Sequence, residues 1–214
     1  MISASNIKKK FRAPVLKGVN LQVNPGEIIG IAGENASGKS TLLTILAGIM
    51  KPDFGQVSLD GQIGFVPQEP ALFDNLSVKD NLRFWAKAYK QDWQRALPLL
   101  NDDGLLKKRV NQLSGGTKKR LSIVLACLHN PQLLIMDEPT AALDIGFKGE
   151  LKKMLDQIRS QGRSVIFTTH QPDELLWCNR IYILRGGVFV YEGNPADLGD
   201  LANVLYGGEP LDTA

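Results

Sequence analysis

Residues 33–40 read Gly33-Glu34-Asn35-Ala36-Ser37-Gly38-Lys39-Ser40, which fits the spacing G-x-x-x-x-G-K-S without a mismatch. A short apolar run, Ile28–Ala32, precedes them and predicts a buried strand, while a helical pattern follows from Lys39 to about Gly48. The glycines allow the backbone to curl so that successive N–H groups point at an anion. A helix that begins in the loop adds its positive end. This order of strand, loop and helix predicts a phosphate-binding loop rather than a chance glycine-rich turn.

The side chains at the end of this loop have chemical roles of their own. Lys39 supplies a positive charge for the β and γ phosphates of a nucleotide. The hydroxyl of Ser40 can take one coordination site of Mg²⁺. We therefore expect nucleotide contacts from residues 33–41, of which Thr41 is the last.

A second group of polar residues ends another apolar run. Residues 133–136 are all apolar, and the adjacent carboxylates Asp137 and Glu138 follow them. In a strand buried on both faces, the first polar residue marks the carboxyl edge of the sheet, where ligands bind in α/β folds. Asp137 can then hold Mg²⁺ through water, and Glu138 is placed to orient or deprotonate an attacking water. A strand-ending turn is the alternative, and the phosphate loop favours the catalytic interpretation.

A third motif offers another anion site. A basic amphipathic helix is predicted from about Thr117, directly after Leu113-Ser114-Gly115-Gly116. A serine and two glycines at a helix start present N–H groups and a hydroxyl to an anion. Only the first of the two loops carries a lysine. The simplest geometry lets the second loop cap the γ-phosphate that is bound by the first loop of another copy.

With these motifs the sequence resembles the ATP-binding-cassette ATPases, whose signature is LSGGQ. Other landmarks of that family follow in order along residues 2–193. They are Phe11 as the aromatic that stacks on adenine, Gln68 as the Q-loop glutamine, Asp144 in the D-loop and His170 as the switch histidine. Thr117 stands where the signature usually has Gln, and we expect a weak effect because that side chain lies at the edge of the site.

The resemblance implies that ATP and Mg²⁺ are the cofactors. It assigns catalytic roles to Lys39, Gln68, Glu138 and His170. It assigns metal coordination to Ser40, Gln68 and Asp137. The nucleotide contacts that it implies come from Phe11, Gly33, Glu34, Asn35, Ala36, Ser37, Gly38, Lys39, Ser40, Thr41, Ser114, Gly115, Gly116 and Asp144.

The apolar patterns predict an α/β fold. Strands are expected at 27–32, 62–67, 132–136 and 164–168, with hairpins over 2–24 and around Gly186-Gly187. Helices are expected at 39–48, 81–89, 91–100, 116–128 and 147–159, and a short one at Pro195. This alternation implies a mostly parallel sheet with helices on both faces. The resemblance adds a P-loop NTPase fold of RecA-like type with an N-terminal antiparallel β subdomain. It also adds a helical subdomain inserted at about 70–130, all within one domain, 1–214.

Composition excludes several other classes of protein. The 25 basic and 22 acidic side chains leave a formal charge of +3, too small to indicate a nucleic-acid partner. Two cysteines and two histidines, far apart, do not form a metal site. No apolar run approaches the ~20 residues of a membrane span, and the N-terminus has no apolar signal segment. We expect a cytoplasmic protein that associates peripherally with the cell membrane through a partner.

The functional prediction is therefore an ATPase subunit of an ABC transporter, acting as a homodimer or heterodimer on separate integral membrane subunits. Residues 81–89 and 114–121 resemble ATPases of ABC-2-type exporters, which favours export. The alternative is a soluble ABC ATPase of DNA repair, translation or cofactor assembly. In that family the translation type usually has two cassettes and the repair type a long coiled coil; one cassette and no heptad run count against both, and cofactor assembly or another non-transport process stays open as the alternative. A P-loop kinase or GTPase does not account for the Ser114 loop. The sequence does not name the cargo.

A docking surface for the membrane subunit is predicted after Gln68. Residues 69–76 contain several apolar side chains, and Phe84 and Trp85 follow on the next helix. We expect Leu76 and either Phe84 or Trp85 to be buried within the helical region. The rest would form an apolar groove that receives a cytosolic helix of the partner.

Overall fold

The computed structural model describes residues 2–141, 143, 145–199, 203 and 205. Its first layer is an antiparallel sheet in the order β2-β1-β4. The strands are β1 (Ile2–Lys10), β2 (Pro14–Val23) and β4 (Phe54–Leu59). Apolar residues alternate with exposed ones along β1 and β2, so that one face of the hairpin is buried. The predicted N-terminal hairpin is therefore confirmed.

The second layer is a six-stranded sheet in the order β5-β6-β7-β3-β8-β9. All neighbouring pairs are parallel except β8 with β9, which form an antiparallel hairpin. The strands are β3 (Ile28–Ala32), β5 (Ile63–Val66), β6 (Leu133–Met136), β7 (Ser164–Thr169), β8 (Arg180–Arg185) and β9 (Val188–Gly193). Because β3, β6 and β7 are buried along their whole length, their sequences are continuous apolar runs rather than alternating ones. The prediction of a mostly parallel sheet is correct.

Several α-helices of the described part of the chain accompany the sheets. They are α1 (Lys39–Leu46), α2 (Val78–Ala88), α3 (Leu97–Leu100), α4 (Gly115–Cys127), α5 (Ile145–Ser160) and α6 (Pro172–Leu175). Short 3₁₀ turns occur at Trp93–Ala96, Asp103–Leu105, Val110–Gln112 and Pro195–Asp197. Between β5 and β6 the regular elements of the described chain are helices and 3₁₀ turns joined by loops, apart from one β-bridge between Ser77 and Arg109, and this is where the sequence predicted a helical insertion. No described helix is both long and apolar enough to cross a membrane.

The core lies on both faces of the six-stranded sheet. Ile29 and Ile31 of β3 belong to a cluster with α1 and the antiparallel sheet. Val165 and Phe167 of β7 belong to a second cluster with α4 and α5. Since successive strand residues point to opposite faces, each strand contributes to both clusters. Both faces of the sheet are therefore covered, and its carboxyl edge is left to the loops that follow the strands.

Three elements differ from the prediction. Residues 91–100 form a 3₁₀ turn and the four-residue helix α3 instead of one continuous helix, and Pro98 sits at the start of that helix. Strand β4 and the short helix α6 were not predicted. β4 is largely exposed, so its sequence lacks the apolar alternation that identifies a strand.

Candidate functional site

The loop between β3 and α1 has the tight backbone that the motif requires. Gly33 has φ 152°, and a Cβ there would lie 2.3 Å from the carbonyl oxygen of Leu184. Gly38, directly before α1, has φ 107°, in the left-handed region that favours glycine. These two residues bring the loop against β8 and turn it into the helix. The N–H groups of the first turn of α1 are therefore directed at the loop.

Lys39 lies within this loop rather than in solvent. Its residue is 5% exposed, and Nζ donates hydrogen bonds to the carbonyl oxygens of Gly33 and Glu34 at 2.8 and 2.9 Å. Burial lowers the pKa of Lys39, and the nearby carboxylates Glu138 and Asp137 oppose that shift. The Oγ of Ser37 is buried with no hydrogen-bond partner among the described residues. A buried cation and an unpaired hydroxyl in a curled loop fit an anionic ligand.

An open cleft of about 500 Å³ lies in front of the loop. Its lining contains Val15 and most of the residues that the sequence singled out, which are Phe11, Asn35, Ala36, Gly38, Lys39, Ser40, Thr41, Gln68, Glu138 and His170. Gly33, Glu34, Asn35 and His170 also border an adjoining cavity of about 190 Å³. Phe11 is 55% exposed at the cleft, so it is not a core residue of the antiparallel sheet.

Four segments meet at this cleft because four parallel strands end at the same edge. The phosphate loop follows β3, Gln68 follows β5, Asp137 follows β6 and His170 follows β7. In open α/β sheets this edge is where ligands bind. The shared edge accounts for how residues so far apart in the sequence reach one site.

The two carboxylates are held by a neighbouring strand. Thr168 Oγ1 of β7 donates to Asp137 Oδ1 at 2.6 Å and accepts the backbone N–H of Glu138 at 2.9 Å. Asp137 is 6% exposed. Glu138 has φ 41°, which is unusual for a residue with a side chain. Residues with such strained backbone angles are found most often at functional sites. One hydroxyl thus fixes both residues at the end of β6.

Glu138 faces two of the other predicted catalytic side chains. Gln68 Nε2 lies 3.4 Å from Glu138 Oε2, and His170 Nδ1 lies 3.9 Å from the same oxygen. The side chain of His170 is 46% exposed, so it is not buried in the core. A carboxylate, an amide and an imidazole therefore converge beside the phosphate loop, which is an arrangement suited to positioning a water molecule.

Lys119 is a residue of this region that the sequence did not single out. It is 4% exposed on α4, and Nζ donates to the carbonyl oxygens of Pro67 and Gln68 at 3.1 and 2.7 Å. Burial lowers its pKa to about 8, although Asp137 and Glu138 act in the opposite direction. The sequence offered no signal for it, because every residue of α4 from Leu121 to Ala126 is also buried and helical spacing therefore does not single out one buried face.

The Ser114 motif lies elsewhere on the described chain. Ser114 caps α4, where its Oγ accepts the N–H of Thr117 at 3.2 Å and lies 2.8 Å from Thr117 Oγ1. Neither Ser114 nor the two glycines after it are among the described residues that line the cleft. A Cβ on Gly116 would lie 3.1 Å from the ring of Phe147 on α5. Asp144, predicted to contact nucleotide, lies outside the described residues.

The donor set fits ATP and magnesium. Backbone N–H groups at a helix start and a buried lysine suit the phosphates, and Ser37 supplies an unpaired hydroxyl. The hydroxyl of Ser40, the amide of Gln68 and the carboxylate of Asp137 are the hard oxygen ligands that Mg²⁺ prefers.

This arrangement, on a sheet of this order, defines a P-loop nucleoside triphosphatase. A family model described as ABC transporter matches residues 16–141. The linearmycin resistance ATP-binding protein of Bacillus subtilis strain 168 is 34% identical over 92% of this chain and 70% of its own length. The Fe(3+) ions import ATP-binding protein of Serratia marcescens is 34% identical over 90% of this chain and 62% of its own length. The chain belongs to the ABC transporter family of ATP-binding cassette ATPases.

Solved structures agree with the fold. A dimeric ATP-binding cassette in a post-hydrolysis state, bound to ADP and Pi, superimposes with a TM-score of 0.83 at 27% identity. The match covers 91% of this chain and 99% of that one. The predicted α/β P-loop fold with its antiparallel sheet and helices is therefore confirmed, as is the family.

Proposed function

We propose that this chain is one cassette domain over residues 1–214, and that it hydrolyses ATP to drive transport through separate membrane subunits. The observation that carries the proposal is the convergence of Gln68, Glu138 and His170 on the cleft beside the phosphate loop. The family supplies the coupling to transport, since both relatives described above carry names of ATP-binding proteins for resistance or import.

The residues of the cleft divide the work of binding. The loop N–H groups and Lys39 hold the phosphates, and Phe11 offers its exposed ring to the adenine base. Ser40, Gln68 and Asp137 would hold Mg²⁺, which neutralises charge between the β and γ phosphates when bound. Ser37 can donate its unpaired hydroxyl to a phosphate oxygen.

Glu138 acts as the general base in this proposal. The hydrogen bond from Thr168 Oγ1 to its neighbour Asp137 and the bond from its own N–H to the same hydroxyl fix its position. A water molecule between Glu138 and the γ-phosphate would give a proton to the carboxylate as its oxygen bonds to the γ-phosphorus, while the bond from that phosphorus to the bridging oxygen breaks and ADP leaves. Gln68 and His170 bracket that water, because both approach the same carboxylate oxygen.

The test is Glu138→Gln, which keeps the shape of the side chain but cannot accept the proton. We expect ATP affinity to be retained and hydrolysis to fall by ~10²–10⁴, the usual contribution of general-base catalysis. The variant should also accumulate as an ATP-bound dimer. Steady-state ATPase and calorimetric ATP titration measure the two effects. Asp156→Asn, an exposed change on α5, is the matched control. Turnover near the wild-type rate in Glu138→Gln would remove Glu138 from this role.

ATP-binding cassettes dimerise, and the placement of Ser114 supports a head-to-tail arrangement here. The described cleft lacks the Ser114–Gly116 loop, which has the N–H groups of a helix start to offer. In a dimer this loop would close the cleft of the facing subunit. The facing subunit is a second copy or a close relative, so the dimer is homomeric or heteromeric.

A membrane subunit would dock on an aromatic patch, which we define as Phe73, Leu76 and Phe84. They are 40%, 40% and 51% exposed, and the rings of Phe73 and Phe84 lie 4.7 Å apart. Trp85 is the partly buried member of the pair at 84–85, whereas the expectation that Leu76 is buried was wrong. The segment 67–77 carries both Gln68 and Phe73, so nucleotide contacts and docking share one loop.

Location and direction follow from the partner. Docked through this patch, the chain would lie on the cytoplasmic face of the cell membrane. Export is the direction that we propose, because α2 and the start of α4 resemble ATPases of ABC-2-type exporters and one relative is named a linearmycin resistance ATP-binding protein. Vesicles containing the complex would accumulate cargo if the ATPase faces outward and the direction is export, and would lose it for import.

A further inference from the structure

A fully buried carboxylate lies next to the switch histidine, and the proposed mechanism does not use it. Glu174 on α6 is 0% exposed. Removing a carboxylate from water costs several kcal/mol unless it gains a cation and hydrogen bonds in return. A residue of this kind in a four-residue helix therefore needs a structural or functional reason.

Glu174 is linked through the hydroxyl of Thr169 to both residues that flank His170. Thr169 Oγ1 donates to Glu174 Oε2 at 2.6 Å, and the same Oγ1 accepts the N–H of Gln171 at 3.0 Å. Thr169 is itself 2% exposed. The main chain on either side of His170 is thereby held by one hydroxyl and one carboxylate, while the imidazole extends into the cleft.

The cation that balances Glu174 comes from a different segment. Lys148 Nζ lies 3.2 Å from Glu174 Oε1 and 3.3 Å from Asp173 Oδ2, and it also contacts the side-chain amide of Gln171. Lys148 is on the first turn of α5, the helix that follows the carboxylate pair Asp137–Glu138 along the chain. The ion pair therefore ties the segment after β6 to the loop after β7.

The Lys148–Glu174 ion pair connects the segment after β6, which begins with Asp137 and Glu138, to the loop after β7, which carries His170. The relative position of these two segments matters for catalysis. His170 Nδ1 lies 3.9 Å from Glu138 Oε2, a separation that closes by about 1 Å to become a hydrogen bond. The His170 side chain is 46% exposed at the cleft, so its position depends in part on the backbone that carries the ring. The backbone that carries the ring must then be fixed from behind, where Thr169, Glu174 and Lys148 lie.

We propose that Glu174 and Lys148 are positioning residues that hold the His170 loop in register with Glu138. The inference rests on the proposed function, because it requires His170 to take part in hydrolysis. It goes further by naming a buried ion pair, away from the nucleotide, on which that role depends.

The test compares Glu174→Gln with wild type in two backgrounds, the native chain and His170→Ala. We expect Glu174→Gln alone to lower kcat by ~10–100-fold, since misplacing a reacting group by about 1 Å costs about that much. ATP affinity, measured by calorimetry, should change less than about threefold, because the pair does not touch the nucleotide loop. In the His170→Ala background, Glu174→Gln should have no further effect on kcat.

If the reductions of kcat caused by Glu174→Gln and by His170→Ala multiply in the double variant, the inference is wrong, because Glu174 then acts independently of His170. Failure of the proposed function looks different: His170→Ala alone would hydrolyse ATP at the wild-type rate. Lys152→Met, which removes the exposed Lys152–Asp156 pair on the same helix, is the matched control and should leave kcat unchanged.

A second pair of variants covers the case in which Glu174→Gln does not fold. Thr169→Val removes the hydroxyl but keeps the side-chain shape and leaves the Lys148–Glu174 pair in place. We expect it to lower kcat through His170, and Thr169→Ser, which restores the hydroxyl, to recover most of the loss. Equal activity of the valine and serine variants would contradict the inference.

Discussion

At the scale of single residues, Lys119 lies in an environment unlike the one that a lysine side chain prefers, because it is only 4% exposed. The ammonium group is enclosed between α4 and the end of β5, where the carbonyl oxygens of Pro67 and Gln68 are its hydrogen-bond acceptors. Loss of hydration lowers its pKa to about 8, despite the opposing charges of Asp137 and Glu138. Burial of this charged group is unfavourable in itself, and its hydrogen bonds connect α4 to the backbone at Pro67 and Gln68.

This environment predicts a specific dependence of stability on pH. An unfolded lysine titrates near 10.5 and the folded one near 8, so between these values the unfolded chain binds more protons. The free energy of unfolding of the wild type should therefore rise with pH in that window, relative to Lys119→Met. The gain is at most about 1.4 kcal/mol per pH unit. Urea unfolding of both proteins at several pH values between 8 and 10.5 measures it.

Lys118→Met is the control, because Lys118 is the neighbouring lysine and lies on the surface near Asp74. It shows what removing one lysine from the same helix does to stability, and the pH dependence for Lys119→Met is compared with it. A constant difference for Lys119→Met would show that Lys119 titrates normally.

Residues in contiguous motifs were predictable, while residues whose role depends on tertiary burial were not. The phosphate loop and Asp137–Glu138 are local patterns, so spacing alone identified them. Lys119 and Glu174 have ordinary surface-type side chains in the sequence. Only the folded chain reveals that each is nearly or fully buried. No local pattern of hydrophobicity distinguishes a buried charge with a partner from an exposed one.

At the scale of elements, the same distinction separates what the sequence predicted from what it missed. Buried parallel strands such as β6 are continuous apolar runs that can be identified in isolation. Strand β4 pairs with β1 from some fifty residues away and is mostly exposed, so its formation depends on a partner strand already in place. In residues 91–100, Asp92 caps a 3₁₀ turn and Pro98 lies in the first turn of the short helix α3, so the segment is not one continuous helix.

The segment from β5 to α2 leads to a prediction about docking. Asn81, 0% exposed on α2, accepts the N–H of Phe73 at 2.9 Å and donates to its carbonyl oxygen at 3.1 Å. The backbone at Phe73 is therefore fixed independently of its ring, which is 40% exposed. Phe73→Asp should leave the fold and the basal ATPase intact, at a cost of about 1 kcal/mol for the lost contact with Phe84. It should abolish co-purification with the membrane subunit.

Phe54→Asp is the matched control, since Phe54 is 59% exposed on the antiparallel sheet, in β4. It should co-purify with the membrane subunit as the wild type does. A Phe73→Asp protein that still co-purifies would exclude the aromatic patch as the docking site, and one that unfolds would make Phe73 a structural residue.

At the scale of the whole molecule, the strand order of the six-stranded sheet explains why most of the motifs meet at one cleft. The Ser114 motif is not among them, so the cleft of the described chain is incomplete. Strand β3 lies between β7 and β8, so its phosphate loop is central, and β5, β6 and β7 deliver the other cleft residues to the same edge. Parallel pairing made that convergence predictable from the sequence. The position of Ser114 relative to the cleft was not predictable, because it depends on how α4 packs against the sheet and on a second subunit.

The mixing of two inactive variants tests whether the second subunit completes the site. Lys39→Ala removes the cation of the cradle, and Ser114→Arg blocks the anion site of α4, so each homodimer should be inactive. In a mixed dimer one site retains both Lys39 and the facing Ser114. With random mixing and one intact site in each mixed dimer, ATPase should recover to about a quarter of the wild-type rate.

Because Ser114 caps α4, Ser114→Arg also costs about 1 kcal/mol, and a thermal melt must first establish that it is folded. Ser77→Arg, at the equivalent cap of α2, is the control for loss of a cap, and it should remain active by itself. If mixed dimers form, as detected by two different affinity tags, and yet hydrolyse no ATP, then the site is closed within one chain and the head-to-tail arrangement is wrong.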